Sequence, residues 1–309
     1  MPPPDSTVPP AARSLPRPGS FRAWLLAIRP PTLTAAIVPV LVGTGVAIHD
    51  GVRAPLAASA AMIGALALQV GANFANDLSD FRRGADNDSR LGPPRATQQG
   101  LLTQRQVQQG ILVAFAIATL AGVYLVTQGG WPVIAIGLAS MVAAVTYTGG
   151  PWPFGYRGLG ELFVFIFFGV VAVAGTYYVQ AGGVTADVLA AALPVSLTVT
   201  AILVVNNVRD IDTDRLAGKY TLAVYLGRRL ARFEFVLVVV LAYLSAGSLW
   251  LLGSFSGWVL LSWASVPAAV LPVAAVVART DGPSLNKALR STARLHLLFG
   301  ILLAIGVSF

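Results

Sequence analysis

Apolar residues in this chain come in long, nearly continuous runs, with the polar residues gathered between them. Nine such runs follow one another, at roughly 23–48, 55–78, 106–127, 132–149, 160–181, 187–208, 234–253, 257–278 and 291–308. Most approach or exceed the length that crosses a hydrocarbon core as a helix. The pattern predicts an all-α integral membrane protein of about nine transmembrane helices. Arg29-Pro30-Pro31 interrupts the first run and predicts a kink or a wet end there. Residues 1–20 hold seven prolines and no apolar run, so the expectation is a disordered tail followed by one transmembrane domain over 21–309. The tail lacks the charged start and apolar core of a signal peptide.

Composition sharpens this picture. The chain is 56% hydrophobic and 11% charged, against roughly 25% charged residues in soluble domains. It has no cysteine, which excludes disulfides, thiolate metal sites and cysteine nucleophiles. The net charge of +8 would suggest nucleic acid in a soluble protein. Here the arrangement of Lys and Arg explains it better, and no nucleic-acid partner is expected. Twenty of the 21 Lys and Arg residues fall on one side of the predicted topology, and Arg53 alone falls on the other. The positive-inside rule makes the rich side cytoplasmic. The expected location is therefore the cell membrane, with the N-terminus and the loops after the even-numbered spans in the cytoplasm.

The acids are rarer and more clustered than the bases. Of 13 in the chain, seven lie in two stretches, Asn73–Arg95 and Asn206–Arg215, and an eighth, Glu234, follows on the next helix. Each stretch begins with asparagine at the end of an even-numbered span and continues with Asp, Arg and then glycine. The two form a weak internal repeat, an arrangement that commonly places a site between halves. If the helices continue past the apolar boundary, Asp77 and Asp80 share a face, as do Asp210 and Asp214, while Asp212 points away. Asp86 follows Gly84 and belongs to a loop. Glu161, Asp187 and Glu234 sit at span ends, where interfacial capping is the expectation, and Asp88 and Asp212 read as solvated charges.

Carboxylate oxygens are hard ligands suited to Mg²⁺ or Ca²⁺, and Mg²⁺ binds through one or two carboxylates plus substrate phosphate oxygens. Two acidic helix ends with nearby Arg and Lys therefore suit a diphosphate held through Mg²⁺, with Lys219 as a point charge. In a membrane, that diphosphate would be carried on a lipid. Allylic diphosphates ionise when the leaving group is stabilised, and the cation formed needs a dry cavity with aromatic faces. Tyr147, Phe154, Tyr156, Phe163 and Phe167 are among the candidates. No Ser-His-Asp or Cys-His arrangement lies near the acids, which argues against covalent acyl chemistry.

These residues resemble the UbiA superfamily of intramembrane prenyltransferases over about 21–309. Asn76-Asp77-Leu78-Ser79-Asp80 matches the family's first motif, with Asp86 as its further acid, two positions later than usual. Asn207, Asp210 and Asp214 match the second, with asparagine in place of the first acid. The segments NNVRDIDTDRLAGKYTLAVYLG and TYTGGPWPFGYRGLGE are similar to the naphthoate branch of that family. The resemblance implies nine helices around a central cavity under a cytoplasmic cap. It implies transfer of a polyprenyl group from its diphosphate to 1,4-dihydroxy-2-naphthoate, with loss of CO₂ and diphosphate, giving demethylmenaquinone. It also implies that Asp77, Asp80, Asp86, Asp210 and Asp214 hold Mg²⁺, with Asp77, Asp80, Asp210 and Asp214 catalytic. Asn73, Asn76, Lys219, Arg29 and Tyr147 are then the substrate contacts. Two alternatives stand beside this reading. One is a family member with another acceptor (4-hydroxybenzoate, homogentisate or a phosphosugar). The other is a cation-coupled secondary transporter, although its acids would be expected at the midplane and not at one face.

Overall fold

The computed structural model describes residues 15–85 and 90–309. Every regular element among the described residues is a helix, with no strand among them. The helices are α1 (Phe21–Ile28), α2 (Thr34–His49), α3 (Pro55–Arg82), α4 (Gln104–Gly129), α5 (Trp131–Thr146), α6 (Gly160–Val164), α7 (Ala172–Ala181), α8 (Ala186–Leu216), α9 (Leu222–Leu251), α10 (Val266–Ala278) and α11 (Gly282–Val307). A π-helical segment, Phe165–Val171, joins α6 to α7, so the two form one span. Among the described residues eight helical segments are long and apolar enough to cross a membrane. The ninth expected span, α5, is apolar but only 16 residues long.

The first apolar run breaks where the prolines predict. α1 ends at Arg29, whose left-handed backbone (φ 56°, ψ 69°) starts a short 3-10 turn through Pro30–Leu33 into α2. Arg29 is the one non-glycine residue with positive φ among those described, a conformation that costs L-residues energy and is found where surrounding structure fixes it. Of the proline-rich tail, residues 1–14 lie outside the described residues. Residues 15–20 lead into α1, where Gly19 N–H donates to the Leu101 carbonyl at 2.8 Å and Ser20 caps the helix.

Packing runs in pairs, α3 on α4, α8 on α9 and α11 on α2. α8 is the central element: 78% of its apolar window is buried, against 17% for α4. A helix buried on all sides shows no amphipathic stripe, which is why α8 reads as a plain apolar run. Small residues bring backbones together, as expected where lipid removes the hydrophobic drive between helices. A Cβ on Gly300 of α11 would lie 2.2 Å from Val38 of α2, and one on Gly169 would lie 1.8 Å from Ser196 of α8. The second contact seats the π-helical segment directly on the central helix.

Helices α3 and α8 both continue past their apolar parts, to Arg82 and Leu216. The acidic stretches are thus helix ends, as the shared-face argument requires. Helix α9 starts at Leu222, about twelve residues before the expected apolar run, and bends at Gly227 (φ 73°). Arg228, Arg229 and Arg232 follow directly after that bend.

Candidate active site

The two acidic helix ends meet over one cavity of about 640 Å³. One end of the cavity carries Arg29, Asn76, Asp80, Tyr147, Asn206 and Lys219, and the other is walled by residues such as Val40, Leu125, Val133 and Val179. The segment 90–95 joins the two halves. Its Leu91 carbonyl accepts from Asn286 Nδ2 of α11 at 2.7 Å. Gly92 lies so close to Arg209 of α8 that an added Cβ would sit 3.0 Å from Nη2. Arg95 then reaches back to Asp80 at 3.1 Å.

Each acid has a different environment. Asp80 accepts from Arg95 through Oδ2 and from the Tyr156 hydroxyl through Oδ1 at 2.9 Å. Asp214 pairs with Lys219 Nζ at 3.2 Å. Asp210 is bound by its neighbour Arg209 through both oxygens. Arg209 is 1% exposed and also donates to Asn206 at 2.9 Å and Asn286 at 2.8 Å. Asp77 is 1% exposed, and neither of its carboxylate oxygens has a hydrogen-bond partner. Arg29, Arg90 and the Thr97 amide contribute positive field around it. Asp212 is exposed and pairs with Arg228, in keeping with a solvated charge. Asp86 and Asp88 lie outside the described residues.

Tyr147 follows directly after α5, which ends short of the expected span, and Lys219 lies in the loop after α8; the acids set their electrostatics. Burial opposes the Lys219 ammonium, but the carboxylates of Asp214, Asp80 and Asp210 outweigh it and hold the group above the usual lysine range. Burial raises the Tyr147 hydroxyl well above its ordinary range, and the charges on Glu161, Asp80 and Asp214 add to this. Lys219 also lies 5.7 Å over the Tyr156 ring. Asp80, Tyr156, Lys219 and Asp214 therefore form a continuous bridge between the halves.

Among the described residues no three His, Asp or Glu side chains converge tightly enough to hold a metal unaided. The donors nevertheless fit Mg²⁺ shared with a phosphate. Asp77 offers two buried oxygens with no proton donor bonded to them, and Asp214 Oδ2 is a third such oxygen. Hard anionic oxygens left uncompensated in this way are what a hard cation requires.

The asparagines expected as substrate contacts divide. Asn73 Nδ2 donates to the Ile28 carbonyl at 2.8 Å and the Thr32 hydroxyl at 2.9 Å. It clamps the turn that presents Arg29, whose guanidinium reaches the Asn73 carbonyl at 3.5 Å. Asn76 Oδ1 accepts from Thr148 at 3.1 Å, and its side chain faces the cavity. Tyr147 also lines the cavity, edge-on to Phe154, which stacks on Phe163 at 3.9 Å.

Sequence reasoning missed three functional-looking groups. Arg209 counted only as a cytoplasmic charge, and Asn286 carried no signal in sequence. Glu161, expected as an interfacial cap, does sit in the first turn of α6. It is, however, 6% exposed and accepts from Asn207 Nδ2 at 2.7 Å. Only the fold brings these two residues, 46 positions apart, into contact.

The model of the UbiA prenyltransferase family matches residues 36–299. The chain is 38% identical to the 1,4-dihydroxy-2-naphthoate octaprenyltransferase of Mycobacterium tuberculosis, covering 94% of this chain and 98% of that one. It is 35% identical to the enzyme of the same name from Escherichia coli, covering 93% and 95%. The fold is that of a UbiA homolog from Aeropyrum pernix, with TM-score 0.68 and 17% identity over 87% of this chain and 95% of that one. A UbiA homolog from Archaeoglobus fulgidus, bound to DMAPP and Mg²⁺, gives TM-score 0.62 at 13% identity over 92% and 99%.

Proposed function

Because the chain belongs to the UbiA prenyltransferase family, we propose that it transfers a polyprenyl group from polyprenyl diphosphate to 1,4-dihydroxy-2-naphthoate. CO₂ and diphosphate leave, and the product is the quinol form of demethylmenaquinone. The observation that carries this reading is a cavity with Asp80, Asn76, Arg29 and Lys219 at one end and an apolar wall at the other. That gradient suits an amphiphile with a diphosphate head and a hydrocarbon tail. The curated relatives at 35–38% identity are named for this reaction, and the Archaeoglobus relative of the same fold holds a prenyl diphosphate with Mg²⁺.

Asp77, Asp80, Asp210 and Asp214, with Asp86 from the adjoining loop, would hold Mg²⁺ against the diphosphate. Bound there, Mg²⁺ supplies Lewis-acid stabilisation of the leaving group. Lys219 and Arg29 bring further positive charge to the phosphate oxygens, Arg29 by virtue of the turn that Asn73 clamps. As the C1–O bond of the prenyl diphosphate breaks, its electron pair goes to the departing diphosphate. The aromatic faces of Tyr147, Phe154 and Phe163 lie close to the positive charge left on the allylic carbons. The apolar cavity excludes water, which would otherwise trap that cation. The electron-rich dihydroxynaphthoate ring attacks C1, and the carboxylate leaves as CO₂. The placement of Lys and Arg supports a cytoplasmic site and N-terminus, with residues 21–309 acting as one membrane domain.

The test is an assay in lipid with Mg²⁺, a long polyprenyl diphosphate and dihydroxynaphthoate, with and without EDTA, read by mass spectrometry. Prenylated, decarboxylated naphthoquinol that disappears with EDTA is the expected result. Product only with 4-hydroxybenzoate or homogentisate would overturn the acceptor while keeping the donor chemistry.

A further inference from the structure

The second acidic helix end has a gap in its row of oxygens. Asn207, Asp210 and Asp214 occupy positions i, i+3 and i+7 of α8 and follow one face, but the first of them is neutral. A carboxylate from another element reaches that point. Glu161 of α6 accepts from Asn207 Nδ2 at 2.7 Å, and both residues are buried, at 6% and 2% exposure. The other oxygen of Glu161, Oε2, is buried without a hydrogen-bond partner. Lys219 and Tyr147, which line the cavity, feel its charge.

A primary amide has a donating nitrogen and an accepting oxygen, and an ionised carboxylate only accepts. Glu161 therefore fixes which way round Asn207 sits. With the nitrogen committed to Glu161, the amide oxygen is the Asn207 atom left to serve as a ligand. Amide oxygens are good ligands for hard cations, and partners that orient a ligand commonly govern metal affinity.

We infer that Glu161 is a positioning residue of the active site, which orients the Asn207 amide so that its oxygen completes the second acidic row toward the cation–diphosphate pair. This rests on the reading that the acidic helix ends hold Mg²⁺ with a diphosphate. A carboxylate so placed would also help hold Lys219, which lies within reach of its charge.

The experiment uses the full chain in lipid nanodiscs and follows Mn²⁺ binding by electron paramagnetic resonance in the presence of inorganic diphosphate, without acceptor or prenyl chain. Wild type is compared with Glu161→Gln and with Glu161→Gln/Asn207→Asp. A glutamine at 161 can donate as well as accept, so it no longer fixes the amide. The Asp at 207 restores an oxygen ligand that needs no orienting. Glu161→Gln is expected to weaken Mn²⁺ binding about tenfold, with an unchanged thermal melt in EDTA, and to raise the Mg²⁺ needed for half-maximal activity by a similar factor. The double variant is expected to bind within about threefold of wild type. Wild-type binding by Glu161→Gln, or no recovery in a folded double variant, overturns the inference. If Glu161→Gln does not insert, Asn207→Ala is read in its place, and undiminished Mn²⁺ binding there is equally fatal. A wild-type protein that binds no Mn²⁺ with diphosphate would instead overturn the metal reading on which the inference rests.

Discussion

The Tyr156 hydroxyl donates to Asp80 Oδ1 at 2.9 Å, while the Tyr156 carbonyl accepts from the amide of Tyr220 at 3.1 Å. One residue thus ties the first acidic helix end to the loop that carries Lys219. A hydrogen bond to a charged group is worth about 1.5–3 kcal/mol. Tyr156→Phe is expected to lower kcat/KM for the prenyl diphosphate by about tenfold or more, with the acceptor KM little changed. Steady-state kinetics with each substrate varied in turn check this, and an effect confined to the acceptor would contradict the assignment.

Asp77 is buried with no hydrogen-bond partner on either oxygen, so its charge is a burden to the metal-free fold. Asp77→Asn removes that charge at constant shape. Stability in EDTA is expected to stay level or rise, while activity falls at least a hundredfold, in line with the loss of a metal ligand. Thermal melts in EDTA alongside the product assay separate the two effects. A lower melting temperature for Asp77→Asn would show that the carboxylate has a structural partner.

Arg209 has the opposite character, being a buried cation that donates to Asp210, Asn206 and Asn286. Removing one member of a buried pair costs about 3–5 kcal/mol because the other charge is stranded. Arg209→Met is expected to melt several degrees below wild type and to be inactive. Arg209→Met/Asp210→Asn should regain part of the stability and none of the activity. Melts that place the double variant below the single one would argue against the pairing.

Lys219 binds its proton more tightly in the folded protein than in the unfolded chain, because its folded value is raised by Asp214, Asp80 and Asp210 against the opposing effect of burial. The stabilisation it gives is therefore complete below the ordinary lysine value of about 10.4 and fades as pH climbs through the folded value. Lys219→Met, which leaves Asp214 without its cation, is expected to melt below wild type by a constant margin from pH 7 to about pH 10. The margin should narrow above that. Melting curves across that range decide it, and a margin that widens with pH would reverse the sign.

Much of this site was legible in sequence because charge in an apolar chain is costly wherever it stands. Asp77, Asp80, Asp210 and Asp214 drew attention by scarcity and by position at helix ends, and the structure sets Asp80 in the cavity lining and links it through Tyr156 and Lys219 to Asp214. The break at Arg29 was legible because two prolines follow it. The hidden part depends on distance in the chain. Arg209 looks like any cytoplasmic base until Asn286 of α11, 77 residues on, folds against it. Glu161 looks like a helix cap until α8 sets Asn207 beside it. The π-helical segment before α7 left no mark either, because its apolar residues read as ordinary span, and the close approach of Gly169 to Ser196 of α8 within it is tertiary.

The polarity gradient of the cavity also governs how the products part. The donor enters as one amphiphile, with its headgroup among the acids and bases and its tail along the apolar wall. After the bond breaks, the pieces no longer share a solvent. Diphosphate belongs to water and can depart only past the charged end, whereas the prenylated ring has lost its carboxylate and belongs to lipid. The reaction thus divides its products between two phases, and their recombination is opposed by solubility as well as by the departure of CO₂.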